Sequence, residues 1–156
     1  MMVNNQYNVF DQLLTNDHTL KLTDLRKAVL AIFLDSKKAM SAYDVLAILK
    51  QNRDSAEPMT VYRVIEYFIE RNIIHRISTE NKYVFCRHIE NNACKHQGLF
   101  FICKKCLSSF EVIDQAFDHL LKALAKQKHF LADASAFVEV KGLCQACQLL
   151  DKRIEQ

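Results

Sequence analysis

The chain has 156 residues, a net charge of +3 and 50% hydrophobic side chains, enough for one ordinary domain or two small ones with a buried core, and too apolar for a disordered polymer. Two glycines and one proline disfavour a turn-dense β-sandwich, and no apolar run approaches the ~20 residues of a membrane span. Charge is evenly divided, 12 basic and 11 acidic side chains up to position 90 and 9 and 7 beyond it, so charge alone makes no case for nucleic acid.

The opening stretch, MMVNNQYNVFDQLL, has neither the basic start nor the long apolar core of a secretory signal, and a cytosolic protein is expected. In LTDLRKAVLAIFLDS the apolar residues Leu25, Val29, Ile32 and Phe33 recur at helical spacing behind Thr23, a suitable N-cap. A second helix starts at Ser41, with Asp44 in a variant of the capping box and Val45, Leu46 and Leu49 as its apolar face. Pro58 suits the first turn of a third helix, PMTVYRVIEYFIERN. Its pattern puts Val61, Val64, Ile65 and Phe68 on one side and Thr60, Arg63 and Tyr67 on the other. Asn72 can end it in the left-handed conformation usually taken by glycine. IIHRI and YVFC around STENK then read as strand, turn, strand. Three short helices followed by a hairpin make a winged helix, whose last helix can enter a DNA major groove.

Residues 87–98, RHIENNACKHQG, read as a polar hinge. Strands near 99–103 and 109–113 follow, then a helix from Asp114 to about Lys128 carrying Phe117, Leu120, Leu121 and Leu124 on one face, then a strand near 136–141. This second half buries little core alone, so pairing with a second copy is the economical way to cover it.

Two C-x-x-C pairs, Cys103/Cys106 and Cys144/Cys147, stand 37 residues apart. In a reducing compartment such pairs read as a metal site rather than as disulfides. Each pair offers two sulfurs for adjacent corners of a tetrahedron, and together they fill one, giving a closed, structural zinc site. Thioredoxin-like redox pairs need a βαβ context that is absent here. The remaining candidate ligands are His75, Cys86, His88, Cys94, His96 and Glu111. A tight turn at Glu80–Asn81 sets His75 opposite Cys86, while His96 and Glu111 lie near the start of the second half. A site of His75, Cys86, His96 and Glu111 would join the two halves. His88 and Cys94 are substitutes, and each residue also has an ordinary surface or core reading.

In this order, SAYDVL, PMTVYRVIEYFIERNIIHRI, YVFC, HQGLFFICKKC, SFEVI and VEVKGLCQAC resemble the ferric uptake regulator (Fur) family, and within it the zinc-sensing branch. The match runs from about Leu22 to Leu149. The resemblance implies an α+β protein that is not an enzyme: a winged helix-turn-helix DNA-binding domain over 1–86, a hinge over 87–98 and a zinc-stapled α+β dimerisation domain over 99–156. It implies a structural zinc on Cys103, Cys106, Cys144 and Cys147 and a regulatory zinc on His75, Cys86, His96 and Glu111, two per chain. It places DNA-facing roles on Tyr43, Thr60, Tyr62 and Arg63.

The function so implied is a cytoplasmic, homodimeric repressor of zinc uptake genes. It binds a palindromic double-stranded operator with zinc as corepressor and has no membrane partner and no small organic substrate. An iron or peroxide sensor of the same family is the alternative, with a zinc hydrolase or a thiol redox sensor further off. The Cys86 thiolate favours Zn(II) over Fe(II) or Mn(II), and ENNACKHQG replaces the His-rich run of the iron sensors. Asn72 and Leu107 stand where the family commonly has glycine.

Overall fold

The computed structural model describes residues 3–16, 18–36, 38–51, 56–86, 98–133 and 137–152. The chain divides into two compact units, Met1–Cys94 and Lys95–Gln156. The fold class is α+β.

The first unit contains α1 (Val3–Asn16), α2 (Asp24–Asp35), α3 (Ala42–Lys50) and α4 (Pro58–Ile69), then the hairpin β1 (Ile74–Ile77) and β2 (Lys82–Phe85). The helix starts follow from local chemistry. Thr23 Oγ1 accepts the N–H of Arg26 at 3.4 Å. Ser41 and Asp44 form a reciprocal capping box, with Ser41 N–H donating to the Asp44 carboxylate at 2.8 Å and Asp44 N–H to the Ser41 hydroxyl at 3.1 Å. Pro58 occupies the first turn of α4, where its missing N–H costs no hydrogen bond. Asn72, at φ 53, ends that helix in the expected left-handed turn, which lets Ile73 N–H reach Phe68 C=O at 2.9 Å.

Val29, Leu30, Phe33, Val45, Leu49, Val61, Ile65, Phe68, Ile74 and Ile77 are buried at the centre of this unit. Met40 and Tyr83 exchange backbone hydrogen bonds of 3.0 and 2.8 Å, so the segment before α3 is stitched to the wing.

The second unit pairs β3 (Gly98–Cys103) with β4 (Ser109–Val112) antiparallel and with β5 (Phe137–Gly142) parallel, in the order β4-β3-β5. The parallel connection carries α5 (Gln115–Gln127), capped by Asp114, whose carboxylate accepts the Phe117 N–H at 2.8 Å. A short helix, α6 (Gln145–Lys152), follows β5.

Among the described residues, the buried hydrophobics of this unit are Phe100, Ile102, Cys103 and Cys147. Two of those four are thiols, so the core is thin. On the other sheet face, Phe101 stands opposite both Phe110 and Val140. All three remain exposed, as do Leu120 and Leu124 of α5.

Helices α1 and α6 go beyond the expected elements, and the turn of the wing lies elsewhere than expected. The observed register pairs His75 with Val84 and Ile77 with Lys82, two residues away from the expected pairing of His75 with Cys86. A two-residue hairpin turn at Glu80–Asn81, of either favoured type, needs positive φ at its first centre, Glu80. The chain instead makes a 3-10 turn over Ser78–Glu80 and puts only Asn81 in the left-handed region, at φ 48.

Candidate metal centre and nucleic-acid interface

The parallel register of β3 and β5 sets Cys103 beside Gly142, so both cysteine pairs leave the sheet at the same end. This closes the gap of 37 residues. The first turn is held by Leu107 N–H to Cys103 C=O at 3.0 Å and by Lys104 N–H to Gly142 C=O at 2.9 Å. Leu107 sits at φ 61, a left-handed conformation that glycine takes without strain and leucine does not. The second turn runs into α6, where Gln148 N–H reaches Cys144 C=O at 3.0 Å.

The sulfurs of Cys103, Cys106, Cys144 and Cys147 all lie within 4.8 Å of one another, and Cys106 Sγ is 3.7 Å from Cys144 Sγ. The edge of a tetrahedron with metal–sulfur bonds of ~2.3 Å is about 3.8 Å. Four thiols at that spacing fit a zinc ion. A disulfide needs sulfurs about 2 Å apart, and all five cysteines among the described residues are reduced.

The local fields favour the thiolate at two of the four sulfurs. Backbone N–H groups of Cys106 and Cys144 pull the Cys103 thiol down to about 6. The Ser108 hydroxyl, 3.1 Å from Cys106 Sγ, lowers that thiol too. Burial pushes Cys147 up to about 12. Amides aimed at the sulfurs favour negative charge there, while crowding keeps all four from ionising together unless a cation joins them.

In the first unit, His75 and Cys86 are 6% and 0% exposed, and a ring nitrogen of His75 lies within 4.8 Å of Cys86 Sγ. The altered register does not separate them. A shift of two residues preserves the face, so Cys86, whose N–H donates to Ile73 C=O at 2.9 Å, lies diagonally across from His75. Glu111 is on β4 of the second unit, paired with Phe100 and half-buried. His96, His88 and Cys94 lie outside the described residues.

On α4, the outermost positions are Met59, Arg63 and Glu66, all exposed and opposite the buried stripe of Val61, Val64, Ile65 and Phe68. Thr60 and Tyr62 flank this crest and are half-buried. Tyr43, 63% exposed at the start of α3, meets Tyr62 edge-to-face with ring centroids 6.4 Å apart. Tyr67 does not face outward as the periodicity suggested. The guanidinium groups of Arg26 and Arg71 stack against its ring at 3.4 and 3.7 Å, and its hydroxyl accepts the Lys21 N–H at 2.8 Å. This cation–π packing ties α4 to the segment entering α2. Met59 was missed as an outward residue; its signal was available, since it stands four residues before Arg63 on the same helix face.

Residues 17–139 match the family model described as the ferric uptake regulator family. The chain belongs to the ferric uptake regulator family. The Escherichia coli zinc uptake regulation protein is 30% identical over 128 residues, which cover 82% of this chain and 73% of that protein. A Staphylococcus aureus ferric uptake regulation protein is 30% identical over 137 residues, 85% of this chain and 91% of its own.

Among solved structures, a zinc uptake regulator complexed with zinc and DNA superimposes with a TM-score of 0.85 at 26% identity, covering 97% of this chain and 99% of that one. The holo XcZur crystal structure gives 0.72 at 30% identity, over 84% and 89%. The fold is thus the family's N-terminal winged-helix DNA-binding domain with a C-terminal dimerisation domain. The chain is a Fur-family transcriptional regulator, similar to zinc uptake regulators, and not an enzyme. Among the described residues, no helix is long and apolar enough to cross a membrane.

Proposed function

We propose that the chain is a cytoplasmic, zinc-responsive repressor of zinc uptake genes that binds a palindromic operator as a homodimer. Cys103, Cys106, Cys144 and Cys147 would hold a structural zinc. His75, Cys86, His96 and Glu111 would hold the regulatory one, two sites per chain. The observation that carries zinc over iron is the buried pair of His75 and Cys86, a sulfur donor beside an imidazole, a set that suits Zn(II) better than Fe(II) or Mn(II).

The regulatory set takes His75 and Cys86 from the first unit and His96 and Glu111 from the second. Ligation by all four restricts the separations that the two winged helices of a dimer can sample, and so favours one spacing before DNA arrives. By linkage, operator DNA tightens metal binding at that site. The exposed face of Phe101, Phe110 and Val140, with Leu120 and Leu124 of α5, supports self-association, since an apolar surface of this kind is ordinarily covered. Two-fold symmetry then implies a palindromic site. Tyr43, Thr60, Tyr62 and Arg63 would face the DNA, with Arg63 reading a guanine edge.

Metal content and duplex binding measured across buffered Zn(II), Fe(II) and Mn(II) titrations test this reading, with duplexes enriched from a random pool. Binding that rises with free Zn(II) at two zinc ions per chain is expected. Binding that follows Fe(II) or Mn(II) instead would make the chain an iron or manganese sensor.

A further inference from the structure

We infer that Met59 is a specificity-determining residue that recognises a thymine methyl group in the major groove. The inference rests on the DNA-binding reading and adds a base contact to it. Met59 is the second residue of α4 and is 62% exposed. Among the described residues of the first unit, only Tyr43 and Met59 among the large hydrophobic side chains are more than 60% exposed. Neither contributes to the core, and both stand in the first turn of a helix.

Three features give Met59 this task. Helices that enter the major groove contact base edges with their N-terminal residues, which is where Met59 lies. Its neighbours on the helix surface are Tyr62 at i+3 and Arg63 at i+4, so its thioether extends the surface formed by the Tyr43–Tyr62 pair. The chemistry then selects the partner. The thymine methyl is the apolar feature that distinguishes a base edge in the major groove, and an unbranched thioether adapts its shape to such a group.

Geometry also places the thymine relative to the base read by Arg63. Four helical residues rise about 6 Å and successive bases about 3.4 Å. The two side chains therefore address bases no more than about two steps apart.

The test uses the full zinc-loaded chain and a duplex enriched by it from a random pool. Each thymine is replaced in turn by deoxyuridine, which removes only the methyl. Wild type should lose about fourfold in affinity at one thymine, the worth of one buried methyl-sized group. That thymine should lie within about two base pairs of a guanine whose replacement by 7-deazaguanine no longer matters in Arg63→Ala.

Met59→Ala should bind the thymine duplex about fourfold more weakly and be indifferent to deoxyuridine at that position. Alanine is the better helix former and the site is exposed, so the variant should fold as wild type by circular dichroism. Retained deoxyuridine sensitivity in Met59→Ala, or none in wild type, overturns the inference while leaving DNA binding intact. A pool with no enriched duplex removes the DNA-binding reading and this inference with it.

Discussion

Cys106 Sγ and Cys144 Sγ lie 3.7 Å apart although 38 positions separate them in the chain. The turns that present them belong to different strands, and only the parallel pairing of β3 with β5 brings those strand ends together. The dependence also runs the other way. With Phe100 and Ile102 as the other buried hydrophobics described in this unit, apolar burial alone is too small to hold the sheet. A shared metal then contributes folding free energy directly.

Cys103→Ser and Cys144→Ser should each unfold the second unit or abolish self-association. Circular dichroism and sedimentation velocity, side by side with wild type, decide the matter. A stable, zinc-free dimer would show that the four thiols are not structural.

Much of this was legible in the residues, for identifiable reasons. The helices α2, α3 and α4 announce themselves because Thr23, Ser41 and Pro58 mark their starts and a clean 3.6-residue stripe follows each. The four-cysteine cluster was legible because only a few residue types bind zinc and their spacing is constrained by its tetrahedron. In contrast, α1 has no Ser, Thr, Asp or Asn ahead of Val3 to mark its start and sets its apolar residues among four asparagines and two glutamines, the asparagines being weak helix formers that favour caps. Helix α6 begins inside the Cys144–Cys147 turn, where the metal motif hides the helix. The register of the wing depended on whether Glu80 takes positive φ, as a two-residue turn there requires, and the residue type gave no sign that Asn81 alone would do so. Tyr67 was misassigned because helical periodicity alone put it on the side away from the core stripe, whereas Arg26 and Arg71 cover its ring from the flanks.

Ser41→Ala should destabilise the first unit by about 1 kcal/mol, as loss of an N-cap commonly does. The partner residue adds a pH signature. The backbone N–H of Ser41, and then its hydroxyl, hold the Asp44 carboxyl below its ordinary value of 3.8. A depressed folded-state value stabilises above the unfolded value and is lost as pH falls through it toward the folded one. Asp44→Asn should therefore cost stability at neutral pH and progressively less below about pH 4. Urea midpoints of wild type and variant across that range provide the check. A difference independent of pH would assign the effect to lost packing rather than to the carboxylate.

Arg63→Ala should lose sequence discrimination more than general DNA affinity. Arg63 is exposed on the crest of α4, free of any packing duty in the core stripe. A bidentate contact to a guanine edge is worth about 1–3 kcal/mol of discrimination, while phosphate contacts are blind to sequence. Affinities for an enriched and a scrambled duplex at one fixed salt concentration separate the two roles. Equal losses on both duplexes would make Arg63 a phosphate contact.

Cys86→Ser should leave a folded dimer that keeps its structural zinc and no longer responds to added zinc, and His96→Ala should do the same from the second unit. Cys86 is fully buried beside His75 on the wing, so replacing its sulfur with oxygen changes the ligand chemistry while nearly preserving shape. The soft donor that favours zinc is lost, and the four cysteines of the second unit are untouched. Wild type should hold more zinc per chain than either variant and show zinc-dependent duplex binding that both lack. If Cys86→Ser still binds DNA in response to zinc at the wild-type concentration, the sensing site lies elsewhere, and His88→Ala and Cys94→Ser are the variants that would then locate it.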